Sequence, residues 1–125
     1  MEIKDSVALV TGANRGIGHA LVRALVGHGA AKVYAGVRDL ATVPDRDVTP
    51  LHLDVTNRAE IAAATVAADD VTIVINNAAV DSEGTKLLDG SFDDTRLAME
   101  VNYFGTWAIS RAFAPVMARN GGGAN

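Results

Sequence analysis

Three glycines fall within eight residues, Thr11-Gly12-Ala13-Asn14-Arg15-Gly16-Ile17-Gly18. Ahead of them stands Val7-Ala8-Leu9-Val10, a short apolar run suited to a strand buried on both faces. Behind them Ile17, Ala20, Leu21, Ala24 and Leu25 recur at helical spacing until Gly29. A glycine-rich turn between a buried strand and a helix has a physical use. The helix N-terminus offers unpaired N–H donors and the positive end of its dipole. Glycines bring that backbone close to an anion such as a dinucleotide pyrophosphate. Gly12 would make the sharp turn, and Gly16 and Gly18 would keep side chains away. The competing reading is a plain strand–helix turn that uses glycine. A P-loop is excluded, because no Gly-Lys-Ser/Thr follows.

The rest of the chain extends the alternation. Lys32–Val37 reads as a second strand and Leu51–Leu53 as a third, entered through Pro50. Between them residues 38–48 are polar and contain Pro44, so a turn or a single helical turn is expected. Thr56 or Asn57 caps a helix to about Ala67, and Asn57 with Glu60 three residues on resembles a capping box. Val71–Ile75 is nearly all β-branched and reads as a fourth strand. Residues 80–91 read as a loop. Phe92 to about Arg119 reads as one long helix, bent at Pro115, and Gly121-Gly122-Gly123 as a flexible stop. The order β-α-β-β-α-β-α predicts an α/β fold, a doubly wound parallel sheet of about four strands.

Composition narrows the function. With 49% hydrophobic and 21% charged residues, the 125 residues suit one folded domain. A net charge of -4 argues against nucleic acid as a partner. The absence of cysteine excludes disulfides and thiol catalysis. His19, His28 and His52 lack metal-ligand spacing. No apolar run approaches a membrane span and Met1–Asp5 resembles no signal peptide, so no membrane partner and a cytoplasmic location are expected.

Thr-Gly-x-x-x-Gly-x-Gly resembles the cofactor turn of the short-chain dehydrogenase/reductase family. Further matches follow in order. Asp54-Val55 after the third strand resembles the family's adenine contacts; a helix-capping aspartate is the alternative. Asn76-Asn77-Ala78-Ala79 is similar to the family's Asn-Asn-Ala-Gly on the ribose side, with Ala79 in place of glycine; a strand-end turn is the alternative. Val101-Asn102 matches the helix where the family's Asn bends the chain and holds a relay water through its carbonyl. A solvent-facing asparagine is the alternative. The resemblance implies a dinucleotide site formed by Gly12, Asn14, Arg15, Gly16, Ile17, Gly18, Arg38, Asp54, Val55, Asn77, Ala78, Ala79 and Val101, with Asn102 as the catalytic-set residue present.

The cofactor expected is NADP(H). An NAD-preferring site ends its second strand with an acid, and Gly36 stands at the expected place, followed by Val37 and Arg38. Arg38 can pair with a 2′-phosphate and Arg15 can approach from the turn. Each arginine alone could be a solvated charge. Asp39 is a competing acid, expected three residues beyond the usual position.

By resemblance the chemistry is hydride transfer between the nicotinamide and a small-molecule carbonyl or secondary alcohol. The family's proton donor is a Tyr with a Lys four residues on. Neither Tyr34 nor Tyr103 has a lysine at that spacing. The chain is therefore expected to be the cofactor-binding front half of a single domain, without strands five to seven, inactive alone and marginally stable. Its fourth strand would be an exposed edge. A standalone nucleotide-binding module and an inactive product that associates with another chain are the other readings. The apolar residues of 92–119 span an arc too wide for a sheet alone. That predicts a second partner, in a later part of the chain or in a homo-oligomer.

Overall fold

A computed structural model describes residues 2–81 and 83–125; Ser82, in the predicted loop, lies outside them. The elements are β1 (Val7–Thr11), α1 (Gly16–Gly27), β2 (Lys32–Val37), β3 (Thr49–His52), α2 (Arg58–Ala67), β4 (Ile73–Ile75), α3 (Phe92–Ala98) and α4 (Thr106–Arg119). Single 3-10 turns occupy Leu40–Thr42 and Glu83–Thr85. A π-helical segment, Met99–Gly105, joins α3 to α4. The four strands form one parallel sheet in the order β3-β2-β1-β4.

The period of two along each strand sorts side chains onto two faces. Leu9, Tyr34 and Val74 join Ile61, Ala64, Ile109 and Phe113 in a core beneath α2 and α4. Ala8, Val10, Val33, Ala35 and Ile73 join Val22 and Leu25 in a second core beneath α1. The sheet is therefore covered on both faces, as the doubly wound expectation requires.

Three local expectations are corrected. Departure from α geometry falls at Met99–Gly105, while α4 passes through Pro115. The glycine tail is ordered against the sheet. Gly122 N donates to Met117 O, Val74 N donates to Ala124 O at 2.9 Å, and Ala124 bridges Ile73 in parallel. The edge of β4 is consequently covered in part, and Ile73 and Val74 are buried. The capping box is half formed: Asn57 accepts from Glu60 N, but the Glu60 carboxylate accepts from Asp54 N instead. Strand β2 runs from Lys32 to Val37 as expected, so Gly36 lies within the strand. There a Cβ on Gly36 would stand 3.2 Å from Leu53 Cδ2 and from Val10 O. Val37 thus holds the strand-end position, and it carries no carboxylate either.

Pro50 sits inside β3, where an edge position spares it an N–H partner on one side. Leu97 and Phe104 of the long helix remain exposed, with Met99, Tyr103 and Trp107 beside them in sequence. Among the described residues no helix is long and apolar enough to cross a membrane.

Candidate functional site: a cleft at the carboxyl ends of the strands

Parallel strands β1 and β4 end side by side, and the glycine turn leaves from the first of them. Thr11, 1% exposed, fastens the two. Its hydroxyl oxygen accepts from Asn77 N and Ala78 N at 3.0 Å each. The Asn77 side-chain amide returns two bonds, to Thr11 O and Gly12 O at 3.1 Å each. Gly12 N donates to Gly36 O at 2.9 Å, which ties the turn to β2 as well.

The glycines of the turn have different reasons. Gly12 and Gly16 both have left-handed backbone, φ 63° and 56°. A Cβ on Gly12 would also approach Ala78 Cα to 3.0 Å. Gly16 meets nothing within 4 Å, so its surroundings are open space at the start of α1. Gly18 is sterically required: its Cβ would lie 2.1 Å from Gly12 O and 2.5 Å from Asn77 Nδ2.

Above this turn opens a cleft of about 470 Å³. Most of the predicted cofactor residues line it: Gly12, Asn14, Arg15, Arg38, Asp54, Val55, Asn77, Ala78, Ala79 and Val101. Gly16, Ile17, Gly18 and Asn102 do not. Gly18 supports the turn from behind, and Ile17 is 75% exposed outside the cleft. Asn102 acts one layer out. Its Oδ1 accepts from Val80 N at 2.9 Å and its Nδ2 donates to Val80 O at 3.3 Å, so the π segment holds the segment that follows β4. Asn102 is exposed, and both of its side-chain amide atoms are nevertheless engaged with Val80. The Asn102 carbonyl accepts from Thr106 Oγ1 at 3.1 Å.

Asp54 is not the helix cap; Asn57 is. Asp54 Oδ1 accepts from Thr56 Oγ1 at 2.7 Å and from Thr56 N at 2.9 Å. The Thr56 hydroxyl, then its N–H, hold the Asp54 carboxyl below its ordinary range, with Arg38 and His52 adding through-space attraction. The Asp54 carboxylate is therefore an acceptor at neutral pH, suited to an exocyclic amine. Val55 beside it is buried and packs under Gly105, where a Cβ would stand 2.7 Å from Val55 Cγ2. That contact is why the π segment can pass so close.

Sequence reasoning missed Thr42, Leu97 and Val80, which also line the cleft. Thr42 Oγ1 accepts from Asn14 Nδ2 at 3.2 Å, a contact across 28 residues that no local pattern signals. Thr11 was visible as the first letter of the turn motif, but its role as the β1–β4 fastener was not. Asp39 lies in the cleft wall, but its carboxylate accepts from Ala41 N and caps the short turn. The histidines are each engaged at the surface, His19 with Asp45, His28 with Ala24 O and His52 with Glu60. Among the described residues no cluster of potential metal ligands occurs.

A parallel sheet wound on both faces, with a glycine turn opening a cleft at the strands' carboxyl ends, defines a dinucleotide-binding α/β protein. The family model for short chain dehydrogenases matches residues 6–124, so the chain belongs to the short-chain dehydrogenase/reductase family. A short-chain dehydrogenase of Burkholderia cenocepacia, solved in complex with NADP, shares 41% identity and a TM-score of 0.90 over 99% of this chain and 53% of its own. A 3-ketoacyl-(acyl-carrier-protein) reductase of Brucella melitensis, complexed with NADH, shares 25% identity and a TM-score of 0.85, over 96% and 53%. An uncharacterized short-chain type dehydrogenase/reductase of Sinorhizobium fredii is 35% identical over 98% of this chain and 54% of its own length. The chain thus spans about half the length of these relatives.

Proposed function

We propose that the chain is the NADP(H)-binding part of an oxidoreductase that interconverts a small carbonyl compound and a secondary alcohol. The observation that carries this is the shared cleft: Arg15 from the turn and Arg38 from the end of β2 line the same space as Gly12 and Asp54. A guanidinium fork suits a phosphate monoester, and two of them suit its second charge. Val37 at the strand end offers no carboxylate to repel it or to bind a free 2′-hydroxyl.

The groups present fit such a cofactor. Open space around Gly16 at the start of α1 leaves room for a pyrophosphate against helix N–H donors. The Asp54 carboxylate would accept from the adenine amine, and Val55 with Val101 would flank the ring. Asn77 and Ala78 would border the ribose. The bound dinucleotide supplies or takes a hydride at its nicotinamide. Asn102 holds the backbone at Val80, and so keeps the wall on the nicotinamide side in place.

The 125 residues contain no Tyr-x-x-x-Lys pair. We therefore assign this chain cofactor binding without turnover. We also assign the exposed Tyr103–Trp107 side of the long helix to contact with a second copy, which sedimentation at rising concentration tests. For the cofactor, fluorescence titration of the chain should give tighter binding of NADPH than of NADH. Arg38→Ala should weaken NADPH by about tenfold, the scale of a lost charge-assisted pair, with little effect on NADH. Equal affinities in the unmodified chain would overturn the assignment.

A further inference from the structure

We propose that an ion-pair cluster between α1 and the link to β3, made by His19, Arg23, Asp45 and Asp47, positions Arg38 and thereby sets selectivity for a 2′-phosphorylated cofactor. This rests on the NADP(H) reading above and adds to it a determinant outside the cleft.

Arg38 is an exposed side chain at the start of an irregular link, residues 38–48. A guanidinium on a loose link would pay conformational entropy each time it engaged a phosphate. The structure ties the link down at several points. Val43 and Val48 pack into the core beneath α1. Between them Asp45 uses both oxygens: Oδ2 lies 2.9 Å from His19 Nε2 and Oδ1 lies 3.3 Å from Arg23 Nη1. Arg23 Nη1 also meets Asp47 Oδ1 at 2.7 Å. His19 and Arg23 stand four residues apart on one face of α1. Asp45 is 14% exposed, the most sheltered member, and is the hub. At the cleft end Asn14 Nδ2 donates to Thr42 Oγ1, which donates to Asp39 O at 2.6 Å. The segment that begins at Arg38 is thus tied to the same helix that Arg15 precedes.

Simple electrostatics predicts the opposite sign, which makes the idea testable. Asp45 does not line the cleft, yet it carries the same sign as a phosphate. Through space alone, neutralising it would favour NADPH. Through positioning, neutralising it frees the link and disfavours NADPH.

The test compares the full chain with Asp45→Asn and with His19→Gln/Arg23→Gln, titrating NADPH and NADH and recording thermal melts. Lys32→Gln, which breaks the remote Lys32–Asp70 pair, is the control. We expect NADPH to weaken about fivefold in both cluster variants, with NADH within about twofold and the control unchanged. Unchanged or tighter NADPH binding overturns the inference. So does an equal loss in the control, which would mark general destabilisation. Should Asp45→Asn fail to fold, Asp47→Asn decides by the same criteria, because it too removes a negative charge from the cluster. If the unmodified chain shows no preference for NADPH, the cofactor assignment fails and this inference falls with it. If Arg38→Ala abolishes the preference but the cluster variants keep it, this inference alone fails.

Discussion

The side-chain amide of Asn77 spans two successive carbonyls of the glycine turn, Thr11 O and Gly12 O. Asn77 follows β4, and the turn follows β1. A residue beyond one strand therefore sets the conformation of the loop that leaves its neighbour. The contact is possible because β1 and β4 pair in parallel and end together, with Val10 opposite Ile75.

Asn77→Ala should cost about 2 kcal/mol, roughly one for each lost bond to a part-buried carbonyl. Urea unfolding followed by circular dichroism measures it. Cofactor affinity should fall as well, because the freed turn must be ordered on binding. A variant with an unchanged midpoint would show that Thr11 alone holds the two strand ends.

The glycines of the turn should separate by mechanism. In Gly18→Ala the new methyl would collide with the Gly12 carbonyl and the Asn77 amide. Both are held by bonds, so a loss of about 3 kcal/mol is expected, at the upper end of overpacking costs. Gly16→Ala meets no atom, and only its left-handed backbone is strained. About 1 kcal/mol is expected there. Stability should therefore order Gly16→Ala above Gly18→Ala. NADPH binding should be impaired in Gly16→Ala beyond its small stability loss, since the methyl occupies open space beside the helix start. Paired melts and titrations read both orders.

Much of this was legible from residue order alone. Strands β1 and β2, helix α1, the Asn57 cap and the doubly wound sheet follow from apolar period and from breakers, which are local signals. The cleft lining followed from motif resemblance, because a turn motif names residues that approach one ligand. Contacts across long sequence separations were illegible. Asn14–Thr42, Asn77–Gly12 and Asn102–Val80 each join segments whose adjacency exists only once the sheet forms. The π segment was hidden for a related reason. Met99–Gly105 carries an ordinary helical pattern, and it widens where Gly105 meets Val55 and Asn102 pairs with Val80. The bond from Gly12 N to Gly36 O, which ties the turn to β2, belongs to the same group of contacts between separate segments.

Asn102→Ala removes both bonds to Val80 and leaves the helix otherwise intact. Because the site is exposed, global stability should change by no more than about 1 kcal/mol. The local effect should be larger. The Val80 amide should exchange with deuterium about tenfold faster, since its protection depends on Asn102 Oδ1. Native-state hydrogen exchange resolves this. Unaltered Val80 protection would mean that the wall is held by other contacts, and Asn102 would lose its positioning role.

Asp54 gives the acid limb of stability a local origin. Its carboxyl is depressed from an ordinary value of 3.8, first by the Thr56 hydroxyl and then by the Thr56 N–H. A depressed folded value means that the contribution is fully present above the ordinary value and is lost as pH falls through the folded one. Thr56→Val keeps the side-chain shape and removes the larger cause. The Asp54 carboxyl should then titrate closer to 3.8, as followed by carbon-detected NMR. Urea midpoints of the two proteins should differ most near neutral pH and converge as the pH drops below about 4. The missing hydroxyl also changes packing and solvation, but that part is independent of pH and appears as a constant offset. A gap that stays constant through the acid range would therefore locate the effect in packing, and the Thr56–Asp54 bond would no longer account for the state of the carboxylate in the cleft.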